Sequence, residues 1–240
     1  DATPASPEND TDENNAQQND PNGRNPNGNG PNAALEKLNL PEFSQEAVYF
    51  SPTQNRDDQL GMLLWLGDGD AGHNQSRADN WQAICRRDGL VLLIAPPEEA
   101  GTWKTDDLGY LQQLARAATR RLNVDRRRLV IGGQGKAGQL AYALALKRRT
   151  STAGIISVDA PLPRTVNVPK TSPRSQLAVL AIESRNSNFA PLIRRDIQLL
   201  RETGYPVTFL QRPATSDVTN EIDAATRFKM ARWIDGLDRL

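Results

Sequence analysis

Leu129-Val-Ile-Gly-Gly-Gln-Gly-Lys-Ala-Gly-Gln-Leu-Ala-Tyr142 is the stretch on which the reading of this chain turns. Leu129, Val130 and Ile131 form a short apolar run, the mark of a strand buried on both faces. The glycines that follow allow a tight, strained turn with close packing. Lys136 to Arg148 then carries a helical pattern. A strand that passes through a glycine turn into a helix is half of a βαβ unit, and the tip of the turn projects from the carboxyl edge of the sheet.

The same alternation runs outward in both directions. Upstream, Ala47 to Phe50 is a short strand. Met62 to Leu66, closed by Gly67, and Leu90 to Ala95, closed by Pro96 and Pro97, are continuous apolar strands. Ser76 to Arg87 reads as a helix with Trp81, Ile84 and Cys85 inward and Gly89 as its stop. Thr105 to Leu122 reads as a longer one, with Leu108, Leu111, Leu114, Ala115 and Ala118 at three-to-four spacing. Downstream come a strand at Ile155 to Val158, a proline-rich excursion from Ala160 to Pro173, and a strand at Leu177 to Ile182. A helix from Ala190 to Thr203 ends at Gly204, and a strand spans Val207 to Leu210. The last helix, Glu221 to Leu240, places Phe228, Met230, Trp233 and Leu237 inward. Apolar strands alternating with helices predict a three-layer α/β/α sandwich around a mostly parallel sheet, and no internal repeat is present.

Residues 1–33 stand apart as an acidic Asn/Pro/Gly-rich linker, and residues 34–240 form the folded domain. The leader has no aromatic and no aliphatic residue larger than alanine, too little apolar surface to offset the entropy of ordering it. Asp1, Glu8, Asp10, Asp12, Glu13 and Asp20 face Arg24 alone. The whole chain has no net charge, so the remainder is basic by five. That excess is modest, and Arg126-Arg127-Arg128 and Lys147-Arg148-Arg149 read as solvated strand and helix ends, so no nucleic-acid partner is expected. No stretch reaches the roughly 18 apolar residues of a membrane span. Cys85 is the only cysteine and His73 the only histidine. The first excludes an intrachain disulfide. The second limits acid–base chemistry more than any other count. An opening on Asp1 and a polar leader are what a segment tethered behind an upstream domain looks like.

The segment Gly133-Gln134-Gly135-Lys136-Ala137-Gly138 resembles the nucleophile elbow of α/β hydrolases in hydrophobic context, glycine spacing and position after the third long strand. The resemblance implies a serine at Gly135, where none stands. No Ser, Cys or Asp lies between Val130 and Ala145. Leu63 to Gly69 resembles the strand and loop of the oxyanion hole, with Gly67 or Asp68 near the usual histidine position and His73 just beyond. Ala181 to Asn186 resembles the strand end that delivers the acid, at Asn186. Leu210 to Asp217, with Ser216 and Asp217 at its end, resembles the loop of the catalytic histidine and contains none. Serine hydrolysis needs nucleophile, base and acid together. The expectation is therefore a catalytically degenerate domain without catalytic residues, metal or cofactor, binding an unidentified small molecule or protein. An active hydrolase of unusual mechanism is the alternative. At finer grain the chain is similar to polyhydroxybutyrate-depolymerase and feruloyl-esterase-like hydrolases. It looks most like degenerate domains attached to PDZ or trypsin-like modules of bacterial envelope proteins, which implies a periplasmic or cell-envelope location.

Two other patterns compete. Gly133-x-Gly135-x-x-Gly138, with Asp159 about 20 residues on, also matches a dinucleotide fingerprint, although two βα units precede it. Asp68, Asp70 and Asn74 hint at a calcium loop, but His73 occupies the position that requires glycine. A polar turn is the better account, and His73 lacks the second and third ligands of a metal site. Trp103, in a loop after Pro97, is expected either to pack or to line a pocket mouth.

Overall fold

The computed structural model describes residues 33–52, 59–147, 151–171, 177–214 and 221–239. Residues 1–32 of the acidic leader, and Ser216 and Asp217, lie outside these residues. Eight strands form one sheet in the order β1-β2-β4-β3-β5-β6-β7-β8. They are β1 Glu36–Asn39, β2 Glu46–Phe50, β3 Leu60–Leu66, β4 Leu90–Ala95, β5 Val124–Gln134, β6 Gly154–Val158, β7 Ala178–Ser184 and β8 Val207–Arg212. β1 and β2 pair antiparallel, as do β2 and β4, and every other pairing is parallel. The expected three-layer sandwich is the fold observed.

The period of two along β3 sorts its side chains between the layers. Met62, Leu64 and Leu66 join one core with Leu108, Leu111 and Leu114 of α2 (Asp107–Arg121) and Leu140 and Leu144 of α3 (Lys136–Leu146). Leu63 and Trp65 join the other, with Ala78, Trp81 and Cys85 of α1 (Ala71–Asp88) and Met230 and Ile234 of α5 (Ala224–Asp235). Helix α4 (Ala190–Glu202) packs Ile193 and Ile197 near the β8 edge. A single 3-10 turn, Leu237–Arg239, ends the described chain. Burial pushes the Cys85 thiol up to about 12, so this cysteine is an inert core residue.

Several boundaries differ from expectation. β1 was not foreseen, because only Leu38 of its four residues is buried. β5 starts at Val124, so Arg126 to Arg128 lie within a strand and not before it. Helix α1 starts at Ala71, because the Asp70 side chain accepts from the His73 amide at 2.8 Å and caps it there. Helix α5 starts at Ala224 on the Asp223 cap, and Phe228 points outward at 47% exposure with the Arg87 guanidinium 4.9 Å above its ring. Thr226, Met230, Ala231 and Ile234 form the buried face instead.

Helix α3 lies close against the sheet at Gly138, where an added Cβ would stand 2.6 Å from Ala160 Cβ and 2.8 Å from the Gly133 carbonyl oxygen. Gly138→Ala is therefore expected to destabilise the domain by about 1–3 kcal/mol, the usual cost of overpacking. Urea denaturation checks it, and an unchanged midpoint would show that the contact yields freely.

Candidate functional site at the carboxyl edge of the sheet

β5 delivers Gln134 and Gly135 to the carboxyl edge, and Gly135 takes φ 55° and ψ −120° as the residue before α3. That backbone region is essentially reserved for glycine. The Gly135 amide donates to the Val158 carbonyl at 2.9 Å, which ties the turn to β6. A Cβ built at Gly135 meets nothing within 4 Å, so the tip of the elbow faces open space. Gln134 is half-buried, Lys136 is exposed, and Gly133 and Gly138 pack the helix onto the strand.

Gln134, Lys136 and Ala137, beside Gly135 in the chain, line a cleft of about 310 Å³ whose wall also includes Trp65, Gly67, Asp68, Arg77 and Trp103. Trp103 both packs and lines the cleft, its indole Nε1 donating to the Gly67 carbonyl at 2.7 Å. A second opening of about 570 Å³ shares Trp103 and Lys136 with the first and continues past Leu140, Leu162, Phe189 and Leu192.

Asp68, on the cleft wall, meets His73. His73 Nδ1 stands 2.7 Å from Asp68 Oδ2, and Asp68 Oδ1 accepts from the Asp70 amide at 3.0 Å. Nε2 of His73 makes no hydrogen bond among the described residues. The hydrogen bond and charge of Asp68 raise the imidazole above its ordinary 6.5. Burial acts to raise the Asp68 carboxyl, but the hydrogen bonds from His73 and the Asp70 amide outweigh it and hold that carboxyl below the usual range. His73 was expected in a loop; it lies in the first turn of α1, four residues before Arg77 and so on the same helix face. Asp68 and Asp70 of the calcium-like pattern serve as partner and cap. Among the described residues no group of three or more His, Cys, Asp or Glu side chains is arranged around a metal.

Sequence reasoning missed a buried network where the acid and base of a serine hydrolase would be sought. Asn186 lies exposed in a turn. The carboxyl end of β7 is held by Asp159, whose two oxygens accept from the Ser184 amide and hydroxyl at 2.7 and 2.6 Å. Arg212, at the end of β8, donates from Nε to Ser184 Oγ at 2.7 Å and from NH2 to Asp159 at 3.0 Å. Asp159 takes φ 49°, an uncommon conformation for a residue with a side chain. Its oxygens are thus engaged within the domain by Ser184 and Arg212.

No family model and no curated protein sequence matches this chain. Solved structures do. An S-formylglutathione hydrolase of Staphylococcus aureus superimposes with a TM-score of 0.61 at 12% identity, covering 86% of this chain and 98% of its own. A thermophilic carboxylesterase from a metagenomic library gives 0.66 at 13%, covering 86% and 90%. An esterase of the archaeon Pyrobaculum calidifontis gives 0.65 at 12%, covering 88% and 87%. At these identities the likeness establishes the α/β-hydrolase fold. None of the three is a binding or scaffolding module, and the closer resemblance to domains attached to PDZ or trypsin-like modules finds no support among them. The expectation of a silent module, drawn from Gly135 and the histidine-free loop before Asp217, is corrected accordingly. The neighbours, each named as a hydrolase or esterase, agree better with the active-hydrolase alternative.

Proposed function

We propose that this chain is a carboxylic-ester hydrolase that activates water directly, with His73 as general base, Asp68 as its positioning partner, and no serine nucleophile. The observation that carries the proposal is the 2.7 Å His73–Asp68 pair, whose Asp68 lines the same cleft as Gln134, Lys136 and Ala137 of the elbow. Such a pair fixes the ring and leaves Nε2 to take a proton. The water oxygen bonds to the acyl carbon as His73 takes the proton. The oxyanion that forms falls to the Lys136 and Ala137 amides, which open α3 and have no intrahelical acceptor. Collapse breaks the carbon–oxygen bond, and the leaving alkoxide recovers the proton from His73. Gly135 has no side-chain atom with which to form an acyl-enzyme.

Hydrolysis of p-nitrophenyl acetate tests this. The protein is expected to exceed the buffer rate reproducibly after repurification, and to be neither labelled nor inhibited by a fluorophosphonate. Absence of turnover above buffer overturns the proposal. So does turnover abolished by covalent fluorophosphonate labelling, which would place a nucleophile elsewhere.

A further inference from the structure

We infer that Arg77 and Lys136 form an oxyanion subsite in the cleft, so that the ester it accepts carries a carboxylate or phosphate beside its scissile bond.

The inference starts from an uncompensated charge. Arg77 is half-buried on α1, lines the cleft, and holds its guanidinium carbon 5.7 Å from the Trp65 ring centroid. No hydrogen bond or ion pair joins it to any described residue. One of its terminal nitrogens, NH1, is shut away from solvent without a partner. Beside it a void of about 20 Å³ lies against Asn80, Trp81, Glu221 and Arg227, room for a single water. A water can satisfy NH1, but it cannot neutralise the cation. The two carboxylates that act on Arg77 at a distance are Asp68 and Glu221. Asp68 is engaged by His73, and Glu221 accepts from Ser76 Oγ at 2.7 Å and Asn80 Nδ2 at 3.2 Å.

Taking an unpaired guanidinium out of water costs stability, and burial has already lowered the Arg77 pKa. A fold retains such a group at little benefit to itself unless something outside the chain completes it. The completing group is an anion, since guanidinium binds carboxylate and phosphate through paired N–H donors. Lys136, exposed on the same cleft and without an ion pair among the described residues, adds a second cation beside the elbow. Gly135, next to Lys136 in the chain, leaves open space where a side chain would stand. The aromatic face of Trp65 stiffens the guanidinium from behind. The substrate part of this inference rests on the hydrolase reading; the anion site does not.

Isothermal titration at low ionic strength, with inorganic phosphate and separately with succinate, reads the site without any turnover. Wild type is expected to bind at least one of them, and the tighter of the two names the group the substrate carries. Arg77→Gln is expected to weaken that binding at least tenfold, and Lys136→Gln by less. Far- and near-ultraviolet circular dichroism establishes that each variant is folded. Arg77→Lys, which keeps the charge but loses the fork, serves if the glutamine variant does not fold, and is also expected to bind at least severalfold more weakly. Absence of binding by wild type overturns the inference, as does a folded Arg77 variant that binds as wild type does. Anion binding without ester hydrolysis would sink the hydrolase reading alone, and hydrolysis without anion binding would sink this inference alone.

Discussion

Arg212→Met is expected to cost the fold about 3–5 kcal/mol, the largest single-residue loss on stability anticipated for this domain. Arg212 is 1% exposed and donates to Ser184 and Asp159 across two strands. Methionine fills much of its volume but leaves the Asp159 carboxylate with only its Ser184 donors. A charge held away from water without its counter-ion is far more expensive than an apolar pair in the same place. Domains have total stabilities of about 5–15 kcal/mol, so the variant should sit near the edge of folding. The double variant Asp159→Asn, Arg212→Met should recover part of the loss, since removing both charges removes the unpaired one. Asparagine also tolerates the φ 49° that Asp159 adopts. Urea denaturation of the three variants measures the coupling. A single-variant loss under about 1 kcal/mol would show that the network is solvated.

His73→Gln is expected to lower ester hydrolysis by about 10²- to 10⁴-fold, the range for a general base in its transition state. The pH profile carries the sharper test. Only neutral imidazole accepts a proton, so the rate should rise as pH rises through the His73 value, with a midpoint above the ordinary 6.5. The groups that set it are Asp68 first, then Asp70 in the same sense and Arg77 against them. Asp68→Asn removes the main cause, so its midpoint should move down toward 6.5 while the plateau rate falls through poorer orientation of the ring. The sign is distinctive, because a variant that merely loosened the loop would lose rate at every pH without moving the midpoint. An unmoved midpoint in Asp68→Asn would remove His73 from the chemistry.

Strand runs such as Leu60–Leu66 and Leu90–Ala95 could be read from sequence because both faces are covered and nothing polar intervenes. Glu36–Asn39 could not, since an edge strand with one buried residue has no apolar signature. The start of α1 was obscured because Gly72, His73 and Asn74 are weak helix formers, and the Asp70 cap supplies what they lack. Phe228 misled because an apolar residue at helical spacing can belong to either of two faces, and here its ring lies under the Arg87 guanidinium on the exposed one. At the site, the elbow is written in its glycines. The Arg212–Asp159 contact spans 53 positions and two strands, which no local pattern encodes. Arg77 had one available signal, its place a helical turn beyond His73, and that signal needed the correct start of α1 to be seen.

The sheet order also bears on how the chain reaches this state. β5 pairs with β3, β6 with β5, β7 with β6 and β8 with β7. From β5 onward each strand finds its docking partner already synthesised, and from β6 onward each is laid on the edge left by the one before. β2 and β3 must wait, since β4, to which both pair, comes later in the chain. During synthesis, which proceeds from the amino terminus at about 5–20 residues per second, the latter half of the sheet can therefore grow vectorially, one strand at a time. The advancing edge is always the newest strand, so the template most open to wrong pairing shifts with synthesis until Val207–Arg212 closes the series, bracketed by Pro206 and Pro213.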